Sequence, residues 1–236
     1  MKQIFHPASE RGHANFGWLD SHHSFSFGSY YDPEKTNFGA LRVLNDDIVT
    51  PAMGFGTHPH DNMEIVSIPL YGELAHKDST GTNGVILTGD VQIMSAGTGI
   101  RHSEFNHSPD KNVNFLQIWI LPKKLNIEPR YEQKSFSRTH SKNKWQTVVS
   151  PSDPEAVWIN QSAYFSFATL EPGHILNYNI HEANQGAYFF LISGKIKIND
   201  QTLERRDGLG VWETKEISLT AEVVSEILCI EVPMKF

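Results

Sequence analysis

Two short segments hold the side chains best suited to chemistry. One is Gly56-Thr-His58-Pro-His60-Asp-Asn-Met-Glu64, the other Gly97-Thr-Gly-Ile-Arg-His102-Ser-Glu104-Phe-Asn106. Alternate residues of a strand share a face, so His58 and His60 can point into one lumen, as can His102 and Glu104. A lone His-x-His pair is commonly two surface or packed histidines. The second pair, on a glycine-rich turn, makes a metal site the better reading. Imidazole suits Fe, Cu, Ni and Zn, and a carboxylate adds preference for a harder ion. Four protein ligands on a six-coordinate ion leave two positions for water, dioxygen or a chelating substrate. Of the 12 histidines, nine precede residue 108 and none follows His181, so the two halves do different chemistry.

The segments that must position these groups read as short strands. Residues 91–96, 115–121, 164–168, 195–199 and 226–232 are rich in β-branched and aromatic residues with a period near two. Gly, Asn, Asp and Pro separate them, as at 78–81, 97–99 and 199–200, which predicts an all-β sandwich or barrel. A short helix is expected near 153–158. Residues 122–146 are polar, Pro-bearing and basic, with Lys123, Lys124, Lys134, Arg138, Lys142 and Lys144. They read as a solvated connection between domains 1–135 and 136–236, or as a surface for an acidic partner. A weak repeat links Ile65–Leu74 with Ala187–Ile196, each a strand, a glycine (Gly72 or Gly194) and a second strand. That alignment sets His58 and His60 against Ile180 and Glu182, so the second unit lacks the ligand set.

Composition removes other classes. A length of 236 residues suits two modest domains. Net charge −7 gives no electrostatic footprint for a phosphate backbone, so no direct nucleic-acid partner is expected. No apolar run is long enough to span a bilayer, and the first residues carry no signal-peptide h-region. The single cysteine, Cys229, excludes an intramolecular disulfide and fits a reducing, cytoplasmic setting; it reads as a buried, inert thiol. No GxSxG, P-loop or GxGxxG motif occurs.

Further segments carry a resemblance. Arg11-Gly-His-Ala-Asn-Phe-Gly-Trp-Leu-Asp20, Ser24–Gly28, Tyr30–Pro33, Leu41–Asp46, Gly56–His60, Met63–Val66 and Met94–Glu104 together resemble the pirin family of the cupin superfamily. They cover most of residues 10–121; the C-terminal half matches more loosely, through Asp207–Trp212. The resemblance is closest to bacterial pirin-like proteins with quercetin 2,3-dioxygenase activity. It implies a bicupin of two β-barrels, with one metal ion, Fe(II) foremost and Zn, Mn, Co, Ni or Cu as alternatives, in the N-terminal barrel. The ligands it implies are His58, His60, His102 and Glu104, with Glu104 also the catalytic proton acceptor. Glu64, a ligand in many cupins, then supports the site or lines its pocket. The implied substrates are a flavonol and dioxygen, with release of carbon monoxide. The alternative is a non-enzymatic, iron-dependent regulator that binds a transcription factor or a metabolic enzyme.

The remaining histidines read as structural. His13, His22 and His23 sit among aromatics as packed or surface residues near the pocket mouth. His76 and His107 fall in turn-like contexts and read as exposed. His174 and His181 read as ordinary loop or surface residues.

Overall fold

The computed structural model describes residues 1–235. The first half contributes β1 (Lys2–His6), β2 (Gly12–Asn15), β3 (Leu19–His23), β4 (Leu41–Val49), β5 (Gly54–His60) and β6 (Glu64–Tyr71). It continues with β7 (Glu73–Asp78), β8 (Asn83–Leu87), β9 (Asp90–Ser95), β10 (Ile100–Asn106), β11 (Val113–Ile120) and β12 (Arg130–Ser135). The second half adds β13 (Gln146–Ser150), β14 (Val157–Trp158), β15 (Tyr164–Leu170), β16 (Ile175–Asn179) and β17 (Gln185–Ser193). It ends with β18 (Lys195–Ile198), β19 (Gln201–Glu204), β20 (Gly208–Trp212), β21 (Glu216–Ala221) and β22 (Ser225–Pro233). Two short 3-10 helices, Ala8–Glu10 and Arg138–Ser141, are the only helical segments among the described residues. The expected all-β class holds.

Four sheets form two barrels of the same plan. One barrel pairs a seven-stranded sheet, β12-β9-β6-β11-β4-β3-β2, with a four-stranded one, β5-β10-β7-β8. The other pairs β1-β20-β17-β22-β15-β13-β14 with β16-β21-β18-β19. Both Gly72 (φ 81°) and Gly194 (φ 95°) turn the chain from the large sheet into the small one, so the repeat seen in sequence is structural. Here a Cβ would meet backbone atoms within 2.9 Å in either barrel, which glycine avoids. β1 lies on the edge of the second barrel's sheet, beside β20, although it opens the chain.

The large sheets face one another across a shared apolar layer. Leu44, Val66, Ile93 and Ile118 from the first half meet Val149, Phe165, Tyr188 and Leu228 from the second. A sheet covered on both faces carries side chains buried on both, which is why β9 is buried throughout and Ala187–Ile192 is a continuous apolar run. The small sheets have one wet face, and β10 alternates buried with exposed or half-buried positions along its length.

Two expectations are corrected. Residues 122–146 are not simply a connection, because β12 extends the first barrel's sheet by pairing with β9. Its polar side chains find partners that composition does not show. Gln133 donates to the Val85 carbonyl and Asp90, Lys134 to the carbonyls of Pro154 and Ala156, and Arg138 lies 3.6 Å from the Phe167 ring centroid. Residues 153–158 form a turn and β14 rather than a helix. Ser150 Oγ accepts from the backbone of Ser152 and Asp153, and Asp153 accepts from Glu155 N, side-chain bonds that compete with helical ones.

A buried guanidinium ties the barrels together. From its left-handed position (φ 71°), Arg206 donates to Asp46 Oδ2 (2.8 Å), Asn114 Oδ1 (3.0 Å) and the Ile192 carbonyl (2.7 Å). Asn114 donates back to Asp46 Oδ1, and Arg11 approaches the same carboxylate at 3.5 Å. Removing one partner leaves a buried charge with too few donors. Arg206→Ala should therefore destabilise the protein by roughly 3–5 kcal/mol. Lysine lacks the planar fork and should recover only part of this; urea unfolding of both variants measures the difference.

Candidate metal centre

The bonding in the small sheet explains how the expected ligands meet. β5 and β10 are antiparallel, and His102 pairs with His58. Between His102 and Glu104 the register shifts, so three steps along β5, Phe55 to His58, face two along β10. A bulge of this kind re-aims the side chains that follow it. His58 Nδ1 bonds the Gly56 carbonyl at 2.8 Å, which leaves Nε2 free.

The ring centroids of His58 and His102 are 4.4 Å apart, those of His58 and His60 4.8 Å, and those of His60 and His102 5.0 Å. The donor atoms of this trio all lie within 4.8 Å of one another. Glu104 belongs to an overlapping trio with His102 and His76. His58 and His60 thus meet His102 in one trio, and Glu104 meets it in the other. Both ring nitrogens of His102 are buried and lack a hydrogen-bond partner. Burial, then the neighbouring imidazoles, lowers His60 to about 4 and His102 to about 3, so both rings are neutral at neutral pH. Neutral imidazoles with unshared lone pairs beside a carboxylate form a donor set that fits one divalent transition-metal ion.

The large sheet holds Glu104 from across the lumen. Gln117 Nε2 donates to Oε2 at 2.8 Å, and Ser67 Oγ lies 3.0 Å from Oε1. Ser67 is also 2.7 Å from Gln117 Oε1, closing a small network. Glu64 sits elsewhere, accepting from Ser95 Oγ and from Asn160 N of the second half, so it links the barrels.

His76 corrects an expectation. It is buried rather than exposed, lies opposite Glu104 on β7, and bonds Asp78 at 3.0 Å. The strand runs through Asp78, so the turn signal at 78–81 begins later than the sequence suggested. The alternation Leu74-x-His76-x-Asp78 was the available clue. His107 is exposed, as expected. Ser67 and Gln117 were not singled out, although each is a polar interruption of an apolar strand.

A cavity of about 210 Å³ opens beside the cluster, bounded by Phe16, Phe27, Phe55 and Trp119 with Asp47, His58, Glu104 and Gln117. This is smaller than the ~300–1,000 Å³ typical of ligand pockets. His23 lines its wall, whereas His13 and His22 lie on the outer face of the same hairpin. Burial raises Asp47 to about 7 against its bond to Ser21, with Asp46 and Glu104 adding to the rise. The Trp119 indole nitrogen is buried without a partner.

Known proteins share this fold and much of this sequence. Residues 5–120 match the Pirin family model, and residues 147–232 match the model for the quercetinase C-terminal cupin domain. The chain belongs to the pirin family. This pirin is 42% identical over 230 residues to a quercetin 2,3-dioxygenase of Escherichia coli K12, spanning 96% of each chain. It is 38% identical to a pirin-like protein of Caulobacter vibrioides, spanning 95% of this chain and 97% of that one. The crystal structure of the bacterial pirin YhhW from E. coli with nickel(II) superposes with a TM-score of 0.93 at 40% identity, covering 98% of this pirin and 99% of YhhW.

The second barrel has an apolar interior at the matching positions. Registering Gly72 on Gly194 and following the strand pairing sets Ser67 against Phe189, Gln92 against Leu209 and Gln117 against Cys229. His76 falls on Ile198, Glu104 on Leu219 and His102 on Ile217. His58 pairs with His102, and Tyr178 with Ile217, so the counterpart of His58 is Tyr178 rather than Ile180. The turn between the first two strands of the small and large sheets is longer in the second barrel, which displaced the ungapped alignment. Cys229 is buried, and that burial pushes its thiol up, as expected of an inert cysteine. His181 is not a plain surface residue: it stacks on Tyr164 and bonds the buried Glu231 at 2.7 Å.

The buried histidines set the acid response of the metal-free protein. His6 and His23 are lowered by burial to about 4, like His60, and His102 further. Between their folded values and about 6.5, the unfolded chain binds more protons than the native one, so stability rises with pH there. His22 is lowered too, so five histidines act in this direction, while Asp47 and Glu64, both raised by burial, act with the opposite sign. The melting temperature of chelator-treated protein should fall as pH drops from about 6.5 to 4. His23→Gln should flatten the slope, measured by thermal melts across that range.

Proposed function

We propose that this pirin is a metal-dependent dioxygenase that opens the heterocycle of a flavonol such as quercetin with dioxygen and releases carbon monoxide. The observation that carries the reading is the convergence of three imidazoles and one bonded carboxylate beside an aromatic-walled cavity. The extensive similarity to a protein named quercetin 2,3-dioxygenase supports it. In this reading His58, His60, His102 and Glu104 hold a single divalent ion, which we assign as Fe(II), and the second barrel, beginning near residue 136, holds none. When bound, the ion supplies Lewis acidity that lowers the pKa of a hydroxyl at an open position. The chain's one buried cysteine suits the reducing cytoplasm, where we place it.

The protein's own groups do the rest. Phe27, Phe55 and Trp119 offer flat apolar surface to an aromatic ligand, and the unpartnered Trp119 N–H offers a donor to one of its oxygens. Glu104 takes the proton of the substrate hydroxyl on a carboxylate oxygen. Gln117 and Ser67 fix the orientation of that carboxylate, so the proton transfer needs no search through rotamers. A flavonol is larger than the cavity as it stands, so the half that projects outward rests against the exposed Phe16 at the mouth.

Metal content tests the ligand assignment. After loading and desalting, about one ion per chain should remain, because one closed ligand set holds one ion. His58→Ala or His102→Ala should abolish retention, and His174→Ala/His181→Ala should not. Retention that survives the loss of His102 rejects the assignment.

Glu104→Gln tests the chemistry. This variant keeps the shape and an oxygen donor but removes the anion and the base. It should hold much of its metal while kcat for quercetin falls about 100-fold or more, since a general base commonly contributes roughly 10²–10⁴. Metal content and turnover should be measured on the same preparations. Full metal with a normal rate would remove Glu104 from the mechanism, and fully loaded wild type that consumes no flavonol above free metal would reject the enzyme.

A further inference from the structure

The hairpin β2–β3 carries chemistry on both faces. Its inner face supplies Ala14, Ser21 and His23 to the cavity wall. On the outer face His13 and His22 stand directly opposite each other in the strand register, and Asp20 is the next residue on that face. The two rings are stacked with centroids 4.4 Å apart and planes 19° apart. A single carboxylate oxygen, Asp20 Oδ1, lies 2.8 Å from His13 Nε2 and 3.6 Å from His22 Nδ1.

We propose that His13, Asp20 and His22 form a second divalent-metal site, exchangeable with solvent, that takes an imidazole-preferring ion such as Zn(II), Ni(II) or Cu(II). Donors about 2.1 Å from one ion and 90–110° apart stand roughly 3.0–3.4 Å from one another, and the two spacings from Asp20 bracket that range. A simple His–Asp ion pair accounts for one imidazole. The strand register sets a second imidazole beside the first, and its Nδ1 falls near the same carboxylate oxygen at a distance longer than a hydrogen bond. The ligand atoms of His13, Asp20 and His22 lie within 4.8 Å of one another, so one cation at the edge of the stacked pair can meet all three.

The strand register brings the three donors together before any ion arrives, since β2 and β3 are hydrogen-bonded along their length. Their side chains are 51%, 41% and 36% exposed for His13, Asp20 and His22, so water completes the coordination and the ion leaves readily. That separates this site from the buried cluster around His102, which faces the lumen and has no water-exposed ring at its centre. The two therefore differ in what survives desalting.

Titration of the full chain with Zn(II), followed by calorimetry, tests the site. Wild type at saturating metal should bind about two ions, of which one is lost on desalting; an imidazole-rich set also favours Cu(II) over Zn(II), so Cu(II) should bind more tightly. His13→Ala/His22→Ala should bind about one, and Asp20→Asn should weaken the second event selectively. His58→Ala/His102→Ala, which lacks the lumen cluster, should keep the exchangeable ion, and its Cu(II) electron paramagnetic resonance should show coupling to two nitrogens that His13→Ala reduces to one. A wild-type titration that ends at the retained ion alone, or a second ion untouched by loss of both outer histidines, overturns the proposal. If wild type binds only one ion and the outer double variant abolishes it, this site stands and the lumen assignment falls. Because the three side chains are exposed, matched melting curves will separate lost binding from lost folding.

Discussion

The first barrel is organised around a carboxylate that it must bury without leaving it unpaired. Glu104 lies inside the lumen, where an ionised group without donors would cost several kcal/mol. Gln117 and Ser67 reach it from the large sheet while β10 carries it on the small one, so the charge is held by both walls at once. That requirement splits the interior. Leu74, Ile86, Val113 and Phe115 form an apolar cluster at one end, and Ile65, Met94, Ala96 and Ile100 form another, with the polar layer between them. The lumen of this barrel therefore holds less apolar core than its size allows.

The second barrel compensates for that deficit. At the positions of Ser67, Gln92, Glu104 and His102 it carries Phe189, Leu209, Leu219 and Ile217, all in one continuous cluster. Burial of such side chains contributes about 1.5–3 kcal/mol each, whereas a half-satisfied polar layer contributes little or nothing. The two barrels then share the layer between their large sheets, and Arg206 locks them through Asp46. Glu64 adds a second link by accepting from Asn160 N. A polar interior is thus buttressed by an apolar one with the same strand order.

Much of this was legible in the sequence, and what was not has physical reasons. The pairs His58/His60 and His102/Glu104 were readable because a strand's period of two is independent of its surroundings. The repeat was readable because Gly72 and Gly194 occupy left-handed positions that few other residues adopt. His76 was misread because only the length of β7 decides whether it precedes or joins the turn, and local propensity does not fix strand ends. β12 was hidden because an edge strand bonded through Gln133 and Lys134 needs no apolar pattern. The roles of Ser67, Gln117 and Asp47 depend on which strands are neighbours, which is a property of topology rather than of any window of sequence. The ungapped alignment missed Tyr178 for the related reason that a loop-length change moves a register without leaving a local mark.

The cavity walls differ in how firmly they are held, and this bears on what can enter. β5 and β10 are paired to each other, β10 also to β7, and β6 and β11 lie in the middle of the large sheet. β10 and β11, each bonded on both sides, carry His102, Glu104, Gln117 and Trp119, whereas His58 lies on the edge strand β5, so the donor end of the cavity is set mainly by doubly bonded strands. The opposite wall is β3 with the four-residue edge strand β2, whose connecting turn carries the exposed Phe16, and the loop through Phe27 and Gly28. An edge strand bonded on one side only is the easiest part of a sheet to displace. A ligand larger than the cavity therefore meets a fixed donor cluster at one end and a yielding aromatic rim at the other. Under the proposed function, ligand orientation is set at the fixed end and the rim tolerates variation in size, so discrimination among flavonols comes mainly from the groups beside Glu104.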